Sequence, residues 1–162
     1  MSFESRIDRV CTLLPQAPRD AIVASRLLFR VAQRLEALVD EKLEPLKLTM
    51  RQYLVLAMLF AEEGEPSSPS ELGDIIDATR TQMTRVLDSL EARGLLIRTL
   101  SQQDRRSFQL ALTPAGPDLV KEAAPRVHEA YRECWGVLEP EALQDLSAQL
   151  GVLNRELTRA AP

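Results

Sequence analysis

Between Ile22 and Leu43 the apolar residues fall at 27, 28, 31, 35, 38 and 39. This is the spacing of one face of a helix of about six turns. Pro45 helps to end it, because proline lacks a backbone donor and crowds the preceding turn. Thr49-Met-Arg-Gln52 then reads as a capping box, with the threonine accepting from a first-turn amide and the glutamine reaching back. The helix it opens, Met50 to Ala61, is apolar nearly all round and is expected at the centre of the fold. Glu62 to Ser67, with Gly64 and Pro66, reads as a turn.

Two short helices with the same start signal follow. Ser68-Pro69-Ser70-Glu71 combines a capping box with proline at the first helical position and opens a helix to about Ile76. Thr79-Arg80-Thr81-Gln82 opens another that runs to Arg93 and stops at Gly94, a residue suited to the left-handed position after a helix end. Two capped helices so close together make a helix-turn-helix. In the second, Met83, Val86, Leu87 and Leu90 fall at i, i+3, i+4 and i+7 and form the buried side, so that Thr81, Thr84, Arg85 and Asp88 point outward. Hydrogen-bonding side chains concentrated in the first two turns are what a recognition helix presents to base edges.

After Gly94 the period drops to about two. Leu96, Arg98 and Leu100 alternate with Ile97 and Thr99, and Phe108, Leu110 and Leu112 alternate with Ser107, Gln109 and Ala111, which predicts a hairpin whose polar tip, residues 101–106, ends in Arg105 and Arg106. Thr113-Pro114 begins a further helix, bent near Pro125, and Pro140 marks the start of the last one. In that last helix Leu143, Leu146, Leu150, Leu153 and Leu157 are spaced 3, 4, 3, 4, a seam for a partner helix.

Composition narrows the choices. The 162 residues, 45% hydrophobic and 27% charged with 4% aromatic, fit one helical globular domain with an appendage. The longest apolar run, Tyr53 to Ala61, is too short to span a bilayer, and the charged N-terminus lacks the apolar stretch of a secretory signal, so a cytoplasmic protein without membrane association is expected. A net charge of −4 argues against nucleic acid when taken alone. However, Thr79 to Arg106 holds six arginines (80, 85, 93, 98, 105 and 106) against three acids (Asp88, Glu91 and Asp104), so positive charge is concentrated on the helix-turn-helix and hairpin. Cys11 and Cys134 are far apart, and His128 is the one histidine, so neither a structural metal, a cofactor nor a disulfide is expected. An enzyme finds no support, since there is no P-loop, no GxGxxG, and no histidine near a candidate nucleophile.

Ser70-Glu71-Leu72-Gly73, the run Thr84-Arg85-Val86-Leu87-Asp88-Ser89-Leu90-Glu91-Ala92-Arg93-Gly94-Leu95, and Asp104-Arg105-Arg106 leading to Leu112-Thr113-Pro114-Ala115-Gly116 together resemble the MarR family of winged helix-turn-helix regulators. Trp135, the proline-bent helix before it and the N-terminal extension look most like the multidrug-efflux-pump repressor branch. The resemblance implies a mainly α fold with a two-stranded β wing, in which residues 1–44 and 113–162 supply dimerisation helices and 45–112 the DNA-binding region. It also implies a homodimeric repressor of its own gene and of an efflux or stress operon, bound to a pseudo-palindromic operator and released by a small aromatic or phenolic ligand. The alternative within the same fold is a peroxide- or redox-responsive regulator. That branch carries its cysteine in the long N-terminal helix near Ser25, whereas Cys11 lies too early.

The candidate DNA contacts are Ser68, Ser70, Thr79, Arg80, Thr81, Gln82, Thr84 and Arg85, with Asp104, Arg105 and Arg106 on the wing. The family pattern implies that Asp104 orients Arg106 for the minor groove. Phe29, Arg30, Met50, Tyr53 and Met58, with Phe60, are candidates for an effector pocket, and each also fits ordinary packing or surface. Tyr131, Trp135 and the leucine seam from 143 to 157 are the candidate dimer contacts.

Overall fold

The computed structural model describes residues 3–62, 67–76, 78–100 and 108–160. The chain runs through α1 (Phe3–Leu13), α2 (Arg19–Leu43), a short 3-10 turn (Glu44–Leu46), α3 (Met50–Ala61), α4 (Pro69–Ile75), α5 (Arg80–Ala92), β1 (Leu96–Leu100), β2 (Phe108–Leu112), α6 (Ala115–Trp135) and α7 (Pro140–Ala160). The strands pair antiparallel with Leu96 opposite Leu112, Arg98 opposite Leu110 and Leu100 opposite Phe108. This is the mainly α fold with a β wing that the hydrophobic pattern predicts.

Each of the three predicted capping boxes is realised as a reciprocal pair of hydrogen bonds. Thr49 caps α3 through Gln52, Ser68 caps α4 through Glu71, and Thr79 caps α5 through Gln82. In each the side-chain oxygen satisfies an amide that the first helical turn leaves unpaired. Gly94 ends α5 with φ of 66°, a backbone state that a Cβ disfavours. A second left-handed residue, Lys47 with φ of 52°, follows the 3-10 turn containing Pro45. The sequence pattern did not reveal it.

One hydrophobic cluster joins these elements. Val39 and Leu43 of α2, Val55 and Leu56 of α3, Leu72 of α4, Leu87 and Leu90 of α5, Leu96 and Leu110 of the ribbon, and Val127 and Ala130 of α6 are buried together. Thus α3 is central, as its all-round apolar character requires. Gly116, at the start of α6, sits so close to the ribbon that a Cβ there would lie 2.8 Å from the Leu95 carbonyl oxygen and 2.9 Å from Leu112 Cδ2. Ser67 adds a bridge that sequence reading missed: its amide donates to the Leu110 carbonyl and its carbonyl accepts from the Leu110 amide. The chain entering α4 is thereby stitched to β2 like a short third strand.

The core ends abruptly at both arms. Leu27, Leu28, Phe29 and Val31 in the first half of α2 are exposed, and none of residues 140–159 in α7 is buried. Pro125 lies inside α6, as the sequence predicts. Among the described residues no helix is long and apolar enough to cross a membrane, and no group of three or more histidine, cysteine and acidic residues could hold a metal.

Candidate nucleic-acid interface

The recognition helix expected from sequence is α5, and its two faces separate as expected. Met83, Leu87 and Leu90 are buried and Val86 is half-buried, while Arg80, Thr81, Gln82, Thr84 and Arg85 are all exposed. The buried side anchors the helix to the core from Met83 onward. The N-terminal half projects with its polar groups outward, held in helical form by the Thr79 cap.

The hydrogen bonds within this half decide what each side chain offers. Thr79 Oγ1 accepts from the Gln82 amide at 3.3 Å, and Gln82 Oε1 accepts from the Thr79 amide at 2.9 Å and from the Thr79 hydroxyl at 3.0 Å. Gln82 therefore has its carbonyl end engaged in the cap and offers a base its NH2 donors. The Thr84 hydroxyl donates to the Arg80 carbonyl at 2.9 Å, leaving its oxygen as an acceptor. Among the described residues neither Arg80 nor Arg85 forms an ion pair. Both keep the guanidinium fork available for guanine edges or phosphate.

Ser68 and Ser70 lie at the start of α4. The Ser68 hydroxyl accepts from the Glu71 amide and the Ser68 amide donates to Glu71 Oε2, while Ser70 is exposed. These hydrogen bonds hold the Glu71 carboxyl below its ordinary value, the Ser68 amide being the larger cause. Helix α4, the N-terminal half of α5 and the base of the ribbon enclose an open cleft of about 520 Å³, lined among others by Ser70, Asp74, Arg80, Thr84, Arg98 and Phe108.

Two arginines that the sequence counted toward the cationic face are turned to other uses. Arg93, at the end of α5, donates from its two Nη atoms to the carbonyls of Lys47, at 2.6 Å, and Leu46, at 3.0 Å. It thereby ties the recognition helix to the junction after α2. Arg98 of β1 pairs with Asp88 and Glu91 of α5. Asp88 does face outward, as its helical position requires, but it serves as Arg98's partner there. The positive charge left on the described part of the face is that of Arg80 and Arg85. Asp104, Arg105 and Arg106 lie outside the described residues.

The candidate effector residues have different surroundings. Tyr53 is buried in the core, Met50 and Met58 pack against it, and burial, with a smaller contribution from Tyr131, pushes the Tyr53 hydroxyl above its ordinary value. Phe29 is 61% exposed on α2, Arg30 stacks 5.9 Å over the Phe3 ring of α1, and Lys121 lies 6.0 Å over Phe60. Of the candidate dimer residues, Tyr131, Trp135, Leu143, Leu146 and Leu150 are half-buried, and Leu153 and Leu157 are 54% and 72% exposed. Cys11 and Cys134 are unpaired and half-buried.

Comparison with known proteins points the same way. The profile described as MarR family matches residues 46–107. The HTH-type transcriptional regulator PrsX of Escherichia coli is 30% identical over 143 residues, covering 88% of this chain and 84% of that protein. The transcriptional repressor MprA of Escherichia coli is 29% identical over 136 residues, covering 82% and 77%. Among solved structures, a mutant MarR from Escherichia coli complexed with operator DNA superposes with a TM-score of 0.75 at 25% identity, covering 83% of this chain and 95% of that one. AbsC, a MarR family transcriptional regulator from Streptomyces coelicolor, gives 0.77 at 26% identity, covering 84% and 93%.

Proposed function

As the chain belongs to the MarR family of DNA-binding transcription regulators, we propose that it acts as a homodimeric repressor. Its two α5 helices enter successive major grooves of a pseudo-palindromic operator, about one helical turn or ~34 Å apart. The observation that carries this is the division of α5 into a buried anchor and an exposed, capped N-terminal half bearing Arg80, Thr81, Gln82, Thr84 and Arg85. Arg80 and Arg85 contact guanine edges or phosphates, the threonines and Gln82 contact bases or phosphates, and Ser68 and Ser70 flank the same groove. On the wing, Arg106 oriented by Asp104, with Arg105 beside it, reaches the minor groove.

Residues 45–112 form the DNA-binding module, with 1–44 and 113–162 as its dimerisation arms. Support for the dimer comes from the apolar side chains exposed at 27–31 of α2 and at 152, 153 and 157 of α7. A partner's surface would take these side chains out of water. The repressor assignment is supported by the similarity to MprA, itself a transcriptional repressor. Regulation of an efflux or stress operon and of its own gene, with release by a small aromatic or phenolic ligand, is supported by the resemblance in Trp135 and the proline-containing helix before it. Release requires the ligand to favour one dimer spacing over another, a coupling typically of about 1–3 kcal/mol.

The test is a gel shift of the full chain on the promoter DNA preceding its own gene. Retention that weakens steeply with salt, and an Arg85→Ala variant weakened about tenfold or more, are expected. Equal retention of a scrambled duplex, or an unchanged affinity for Arg85→Ala, would overturn the reading.

A further inference from the structure

Arg98 and its two acidic partners lie between the recognition helix and the wing, where they add an electrostatic contact to the packing of Leu87 and Leu90 against Leu96. Arg98 Nη2 donates to Asp88 Oδ1 at 2.5 Å, and Nε, which is enclosed, faces Glu91 Oε2 at 3.3 Å. The arginine side chain is 19% exposed, against 60% and 44% for the two acids. The ion pairs therefore hold a largely enclosed cation from the outside. Asp88 and Glu91 sit three apart and thus share one face of α5. They meet two adjacent nitrogens on one side of the planar guanidinium, Asp88 through a hydrogen bond and Glu91 through charge alone. Arg98 is also paired with Leu110 across the ribbon, and Leu110 is fully buried. The strut consequently joins the helix to the rigid base of the ribbon.

A DNA-facing module has an evident electrostatic reason to avoid two carboxylates on its recognition helix, since each repels the phosphate backbone. Their presence beside an arginine that is thereby withheld from DNA needs a compensating use. We infer that Asp88 and Glu91 are positioning residues for operator recognition, which through Arg98 set the angle between α5 and the β1–β2 ribbon. The proposal rests on the placement of α5 in the major groove. Helix and ribbon approach adjacent grooves as one body, so a fixed angle matches the groove geometry of the operator. A loose one lets the two elements bind phosphates independently, without register.

The promoter-to-scrambled ratio separates the two roles of the acids, since removing charge alone leaves it unchanged and losing the positioning lowers it. The double variant Asp88→Asn with Glu91→Gln keeps size and helix position but removes two negative charges and frees Arg98. By charge alone it binds every DNA more tightly. By positioning, it loses discrimination. Affinities of the full chain for its own promoter duplex and for a scrambled duplex of the same length and composition are measured by fluorescence anisotropy, with Asp88→Glu as the conservative control. The expected result is tighter binding to the scrambled duplex, a promoter-to-scrambled ratio reduced by about fivefold per protomer, the upper range for partly exposed ion pairs, and a ratio largely restored in Asp88→Glu. A ratio unchanged in the double variant, whether both affinities rise together or neither moves, overturns the proposal. Arg85→Ala is measured alongside. If it binds the promoter as wild type does, the placement of α5 fails and the proposal with it. If Arg85→Ala loses affinity while the double variant keeps its ratio, the strut alone fails.

Discussion

Replacing Thr79 by alanine removes one hydroxyl from the surface, yet the structure gives that hydroxyl an unusual share of the recognition helix's order. It accepts from the Gln82 amide and donates to Gln82 Oε1, and that same oxygen holds the Thr79 amide. Loss of a threonine cap costs about 1 kcal/mol. The cost falls on the first turn, because Leu87 and Leu90 hold the later turns in the core. Arg80, Thr81 and Gln82 stand on the turn that frays. If DNA binding must restore the helix there, 1 kcal/mol is about a fivefold loss for each protomer, or about 25-fold for a dimer engaging both half-sites. Thermal unfolding should fall by only about 2–4 °C. Thr79→Ser keeps the acceptor and the donor and should bind within about twofold of wild type. Anisotropy titration of a labelled promoter duplex, paired with thermal unfolding, separates the two effects. Equal affinity for the alanine and serine variants would refute the idea that the cap prepares this helix for DNA.

Gly116→Ala forces a methyl against the Leu95 carbonyl and the Leu112 side chain, and should destabilise the fold by about 1–3 kcal/mol, read as a lowered unfolding midpoint in urea; an unchanged midpoint would contradict the close packing. Leu150→Asp places a charge in the middle of the α7 seam and should yield monomers by analytical ultracentrifugation, with operator binding much weakened; a dimer that persists would move the interface elsewhere. The Glu71 carboxyl is held below its ordinary value of 4.5 by the Ser68 amide and hydroxyl. Its folded-state value being depressed, its contribution is fully present above that ordinary value and is lost as pH falls through the lower folded one. The stability difference between wild type and Glu71→Gln should therefore shrink on acidification below about 4.5, and a difference independent of pH would remove the carboxylate from the cap.

What could be read from the chain alone was what depends on neighbours in sequence. The three capping boxes need only residues three apart, Gly94 needs only its own backbone, and the shift from a helical to an alternating period marks the ribbon without knowledge of its surroundings. Partners distant in sequence were hidden. Counting charges placed Arg93 and Arg98 on a cationic face, whereas one binds carbonyls 46 and 47 positions away and the other neutralises two acids across the turn. Ser67 carried no sign that it would pair with Leu110, because a single polar residue before a helix cap has no period. Periodicity likewise marked Leu27, Leu28 and Val31 as an apolar face but could not say that the chain's own core leaves it open. Effector candidates were the least legible, since an aromatic or sulfur side chain lining a pocket and one filling a core have the same sequence signature; Met50, Tyr53 and Met58 fill or border the core.

Hydroxyl-radical footprinting of the full chain on the promoter of its own gene tests the central claim most directly, because it sees both the dimer and the reading helix on DNA. The expected result is two symmetric protected patches on one face of the duplex, centred about one helical turn or ~34 Å apart, both lost in Arg85→Ala at the concentration that saturates wild type. A single patch, uniform protection along the duplex, or an identical footprint from Arg85→Ala would contradict it.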